Sequence, residues 1–314
     1  MNRVVSVLVV ILLLLSISSM TGLIGVVRAQ GGTIIINADG SISPSTAPIY
    51  TADNITYTLT GNITITNISD PDGIVVDRDN IVLDGAGYTV TGSGLNGFLL
   101  IVGNGIKLDN MSNVTINNMM ITNFTTGILL DSSSGNTLSG NNVTANIDTG
   151  IYLQQSSDSN TLSGNNIIAN SAWGVYLDSS SDSNTLSGNN ITNNHEGIEL
   201  LYSTSNNAIY DNNFINNTYQ VDWYSSTNVW DNGNVGNYWS DYLTRYPNAT
   251  QVDNSGVWNT PYQIDDNNYD LYPLAVPYAV IPEFPSFLIL SLFLITILLA
   301  VIIYKKKATP YKRL

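Results

Sequence analysis

The chain has 314 residues, no cysteine, one histidine, and 24 acidic against 10 basic residues, giving a formal net charge of −14. All the acids fall between Arg28 and Lys305, where Arg78, Lys107 and Arg245 are the only basic residues. Such a surface repels nucleic acid, whose phosphates need Lys and Arg, and without cysteine an exported domain must rely on packing rather than disulfides.

In chain order, residues 4–15 are almost wholly apolar after Arg3, and Val27-Arg28-Ala29 offers small residues for cleavage before Gln30. This predicts a secretory signal over 1–29, with an uncleaved N-terminal anchor as the alternative. Residues 30–79 show strand-like alternation at 32–36 and 55–65 without the mature repeat. They are expected to form an N-terminal cap and first strands, since a solenoid must cover its apolar cross-section at each end.

The repeats occupy 80–229. The heptapeptide NTLSGNN stands at 136–142, 160–166 and 184–190, each copy 24 residues after the last. A Gly-apolar-x-apolar tetrad recurs at Gly105, Gly127, Gly150, Gly174 and Gly197. Within one period, short alternating runs are separated by Asn, Gly, Ser and Asp, the pattern of strands joined by turns. Three short strands per ~22–24 residues describe one rung of a right-handed parallel β-helix. A leucine-rich repeat would need a denser leucine framework and a helical segment. The fold class predicted is therefore all-β, with six or seven rungs stacked at ~4.8 Å.

Inward positions form columns: Leu138, Leu162, Leu186 and Ile209; Val143, Ile167, Ile191 and Phe214; Ile128, Ile151, Val175, Ile198 and Val221. Met120 falls in the second of these and is expected in the core. Two asparagine columns, Asn136/Asn160/Asn184/Asn207 and Asn142/Asn166/Asn190/Asn213, are expected to form side-chain ladders. The repeated heptapeptide thus belongs to the scaffold.

Residues 230–278 change composition, with Trp230, Trp239, Trp258, seven tyrosines and four prolines. Large aromatics bury the most surface per residue, which a C-terminal cap needs. After a linker at 279–286, residues 287–304 contain no charge and precede Lys305-Lys306-Lys307. This predicts one transmembrane helix, a cytoplasmic basic tail at 305–314 and repeats displayed outside the cell. Ten N-x-S/T sequons fit glycosylation of an exported protein, with Asn54, Asn62, Asn67, Asn110, Asn216 and Asn248 as candidate acceptors.

The strings GNYWSDY (236–242), TPYQID (260–265) and YDLYPL (269–274), following Asn-rich rungs, resemble the C-terminal signature of NosD-like right-handed β-helix proteins. The resemblance covers about 80–278 and implies a periplasmic copper accessory role. Ile281-Pro282-Glu283-Phe284-Pro285 resembles the sorting tails of archaeal surface proteins. The resemblance also implies an Asp-rich calcium loop before Thr260, but here that stretch carries the single acid Asp253. Calcium takes six to eight oxygens, so a site would need Asp265, Asp266 or Asp270 as well. Copper prefers Cys, Met or His, and His195 with Met111, Met119 and Met120 supports it poorly. No cofactor follows from the sequence alone.

The tetrad strand offers a better site. Its outward column reads Lys107, Leu129, Tyr152, Tyr176, Glu199 and Asp222. Two residues on lie Asp109, Asp131, Gln154, Asp178, Leu201 and Tyr224. Aromatic faces beside carboxylates suit sugar rings. Tyr152, Tyr176, Glu199 and Asp222 are the predicted sugar-binding set. Asp178, Glu199 and Asp222 are the catalytic candidates should the protein be a polysaccharide hydrolase or lyase. The Asn-Thr-Asp and Gly-His-Gly strings of β-helix polygalacturonases are absent, and Lys107 is the one base on this face. The balance favours non-enzymatic binding of polysaccharide or surface-layer components.

Overall fold

The computed structural model describes residues 28–94, 103–201, 203–223, 226–253 and 255–279. Residues 1–27 of the predicted signal, the transmembrane helix and the basic tail lie outside them, as does Tyr224; Arg28 and Ala29, the last two residues assigned to the signal, form with Gln30 a strand paired in parallel with Ile63–Ile65. Among the described residues no helix is long and apolar enough to cross a membrane.

Three sheets of nine, nine and eight strands run along the molecule, and a two-stranded hairpin sits in the C-terminal region. Successive rungs pair in parallel through all three long sheets, giving about seven turns of a right-handed solenoid. Strands within 34–65 already belong to these ladders: Ile34–Ile36 pairs with Ile74–Val76, and Thr56–Leu59 with Val82–Asp84. The antiparallel partners Ile42–Ser43 and Ile49–Tyr50 close the edges of two sheets there.

The heptapeptides align as predicted. Leu138, Leu162, Leu186 and Ile209 stack in register, as do Val143, Ile167, Ile191 and Phe214. All eight are fully buried. Each buried aliphatic side chain contributes about 1.5–3 kcal/mol, so the axial columns are the main source of stability.

The tetrad glycines have a steric cause. A Cβ on Gly150 would stand 2.5 Å from the Gly174 carbonyl oxygen, and one on Gly174 would stand 2.6 Å from that of Gly197. Consecutive rungs approach too closely at this corner for any side chain.

Two expectations need correction, both by one residue. The second asparagine ladder is Asn141, Asn165, Asn189 and Asn212, all buried, whereas the outward Asn142 and Asn190 are half-buried and Asn166 is exposed. Each ladder Oδ1 accepts the backbone N–H of the rung before it, as from Asn141 to Asn165 at 3.0 Å. Each Nδ2 donates to a carbonyl of that same rung, as from Asn165 to Leu138 at 2.9 Å. A third ladder, Asn146, Asn170, Asn194 and Asn217, makes the same bonds. Met120 likewise pairs with Asn142 and is 38% exposed; the core position belongs to Ile121, and Met119 is buried.

The signature strings build the cap. Trp239 stacks between Phe214, at 4.3 Å, and Tyr262, at 4.2 Å, so the aliphatic column ends in aromatic rings. Asn237 extends the second ladder, accepting the Asn212 N–H at 3.1 Å. The Tyr262 hydroxyl donates to Asp241, and Tyr242 donates to the Thr260 carbonyl.

Candidate functional site

The outward column of the tetrad sheet is present in full register, from Lys107 through Leu129, Tyr152, Tyr176 and Glu199 to Asp222. Tyr152 and Tyr176 stack with centroids 4.6 Å apart and planes 10° apart. Trp173 continues the run, 4.9 Å from Tyr176 at 27°. The two phenols converge on one carboxylate: Asp178 accepts Tyr152 at 3.0 Å and Tyr176 at 3.3 Å. Burial, and then Asp178, pushes the Tyr152 phenol up, so it remains a donor. Asp178 therefore orients the rings.

On the next rungs toward the cap, oxygens of Glu196, Glu199 and Asp222 all lie within 4.8 Å of one another. The Trp173 indole N–H donates to Glu196 Oε2 at 2.8 Å, and His195 Nδ1 stands 3.6 Å from Glu196 Oε1. Glu199 is 8% exposed, and no hydrogen-bond donor reaches its Oε2. Burial, then the charges of Glu196, Asp222 and Asp178, push its carboxyl up to about 7, with the Trp173 indole opposing. Asp178 stays outside the group of three. Beyond Tyr219, whose ring meets the His195 edge at 5.5 Å, a cavity of about 280 Å³ opens between Gln220, Arg245 and Tyr262.

Sequence reasoning missed Trp173 and Glu196. They pair with each other one position before the tetrad glycine. The signal was available, because that column changes from Thr126 and Thr149 to Trp173, Glu196 and Tyr219.

The calcium candidates do not gather. Asp253 and Asp266 are exposed turn residues. Asp265 accepts the backbone N–H groups of Asn267 and Asn268, at 2.6 and 2.7 Å. Asp270 is fully buried and accepts Asn237 N, Trp239 Nε1 and Tyr272 N at 2.7, 2.8 and 3.0 Å. Burial pushes its carboxyl up to about 7 against those donors. The soft donors are scattered too: Met119 is in the core, Met111 packs against it, and the Met120 sulfur accepts a hydroxyl from Thr89. This donor set does not fit copper. Of the sequon asparagines, Asn54, Asn67, Asn110, Asn216 and Asn248 are exposed, while Asn62 is half-buried and accepts the Thr89 N–H at 3.0 Å.

No curated protein matches the chain. Among solved structures it is similar to a double mutant of the periplasmic alginate epimerase AlgG, at 17% identity and TM-score 0.40, covering 68% of this chain and 44% of that one. The Agl-KA catalytic domain gives 17% identity and TM-score 0.42, covering 65% and 37%. Pectate lyase Pel9A gives 14% and 0.36, covering 84% and 78%. The chain thus spans less than half of two of these proteins, and likeness at this level carries no statement about substrate. The family described as periplasmic copper-binding protein (NosD) matches residues 24–244. The Asn-ladder rungs and the start of the aromatic cap fall within that match, and the chain belongs to the NosD family.

Proposed function

We propose that the protein is a cell-surface β-helix that binds glycans on the aromatic and carboxylate face of the tetrad sheet. One observation carries this reading: three rings, Trp173, Tyr176 and Tyr152, stack in one run beside Asp178, Glu196 and Glu199. Ring faces accept the C–H surface of a sugar, and carboxylates accept its hydroxyls. Display outside the cell is supported by the apolar segments at 4–15 and 287–304 and by the basic tail. Polysaccharide or surface-layer components are the partners this placement offers.

Glycan arrays probed with the full chain are expected to show binding that falls at least tenfold in the Tyr152→Ala/Tyr176→Ala double variant. Binding unchanged in that variant overturns the site. A second reading, cleavage of the bound glycan, is favoured by the closeness of Glu199 and Asp222, whose oxygens come within 4.8 Å, a little under the ~5–5.5 Å carboxylate separation of retaining glycosidases. Reducing-sugar release abolished in Glu199→Gln and Asp222→Asn would establish it. Release that persists in both removes these residues from any catalytic role.

A further inference from the structure

We propose that Glu196, Glu199 and Asp222 form a site for an oxygen-preferring divalent cation, of the calcium or manganese class. The inference goes beyond glycan binding and does not depend on it. Three carboxylates on two neighbouring rungs bring their oxygens within 4.8 Å of one another. Crowded carboxylates alone are common on an acidic protein; the second observation is the Glu199 side chain. It is more than nine-tenths buried and points its Oε2 where neither solvent nor a hydrogen-bond donor reaches it. A buried carboxylate oxygen left in this state is unfavourable unless something positive meets it.

Among the described residues no lysine or arginine side chain supplies that charge. Lys107 lies four rungs away along the column and is bonded to Asp109 at 3.4 Å. Arg245 stands over the Tyr262 ring on the cap. A cation shared by the three carboxylates would balance the buried Glu199 carboxylate and relieve their mutual repulsion. Up to six carboxylate oxygens, completed by water, match the coordination number of calcium. Hard oxygen donors do not select copper, for which this group lacks thiolate, thioether and clustered imidazole. Rigid strand backbone fixes the three carboxylates, whereas the Asp253 and Asp265 loops carry no comparable group.

The test uses the full chain stripped with EDTA and titrated calorimetrically with calcium chloride, manganese chloride and copper sulfate, without glycan. One calcium or manganese per chain is expected. Affinity should fall at least tenfold in Glu199→Gln and again in Asp222→Asn. Asp109→Asn, four rungs from Glu199 on the same sheet, should bind as the parent does. Thermal unfolding of each variant in EDTA verifies folding, and Asp222→Asn provides a second reading should Glu199→Gln misfold. Absence of calcium and manganese binding, binding that survives both substitutions, or stoichiometric binding of copper alone each overturns the proposal.

Discussion

Glu199 illustrates how one side chain can be placed against its own preference. Strand alternation makes it an outward residue, yet the neighbouring rungs cover it until 8% of its surface remains. Because its carboxyl titrates near 7 rather than near 4.5, the unfolded chain ionises first as pH rises. Stability from this residue is complete below about pH 4.5 and is lost as pH climbs to about 7, by about 3 kcal/mol when no cation is present. In chelator, Glu199→Gln should therefore raise the unfolding midpoint at pH 8 and leave it unchanged at pH 4. Urea denaturation at the two pH values measures the difference. A variant destabilised equally at both would show that Glu199 acts through packing instead.

At the scale of the element, the cap hangs on one carboxylate. Asp270 gathers Asn237, Trp239 and Tyr272 through three N–H donors, and Gly236 packs so closely that a Cβ there would overlap the Asp270 side chain. Replacing the carboxylate by an amide turns one acceptor into a donor facing N–H groups. Asp270→Asn should cost about 3 kcal/mol at pH 8, where the carboxylate is ionised. Trp239 emission should shift red as the cap opens. An unshifted spectrum and midpoint would remove Asp270 from this role.

The same scale explains what the sequence could and could not reveal. Leu138, Leu162 and Leu186 were legible because a lone leucine between polar neighbours can point only inward. The errors fell on doubled residues. In Asn141-Asn142, Asn165-Asn166 and Met119-Met120 the period is satisfied by either member, and only the corner of the coil decides which one is enclosed. The site divided in the same way. Tyr152, Tyr176, Glu199 and Asp222 followed from period-two alternation within the strand. Trp173 and Glu196 join them from across the glycine, where close rung contact breaks that alternation. The lone Oε2 of Glu199 depends on packing between rungs and leaves no trace in a linear pattern.

For the whole molecule, identity of spacing makes the rungs interchangeable. Asn136, Asn160 and Asn184 succeed one another at 24 residues and bond in one line. Excision of 160–183 would bring Thr137–Ser139 directly beside Thr185–Ser187, like against like. The shortened chain should keep its β-sheet circular dichroism and a cooperative unfolding transition while losing Trp173 and Tyr176, and with them glycan binding. Deleting Leu162 alone, inside a strand and not in the turns that absorb spacings of 22, 23 or 24 residues, should instead put Ser163 in the inward place and destabilise that rung. Equal stability of the two deletions would contradict the ladder account.

The asparagine ladders also have a direction. Each oxygen serves the backbone N–H of the coil before it; the third line stops at Asn217, and the other two end where Asn228 donates to Asn268 and Asn237 donates to Asp270. Along these ladders a coil is thus finished by the one that follows. A chain that emerges N-terminus first carries an unmet row of donors at its growing edge throughout translation. Two lines of that row are answered only when residues 268–270 arrive, so a segment made after every rung ends the molecule's capacity to recruit another strand.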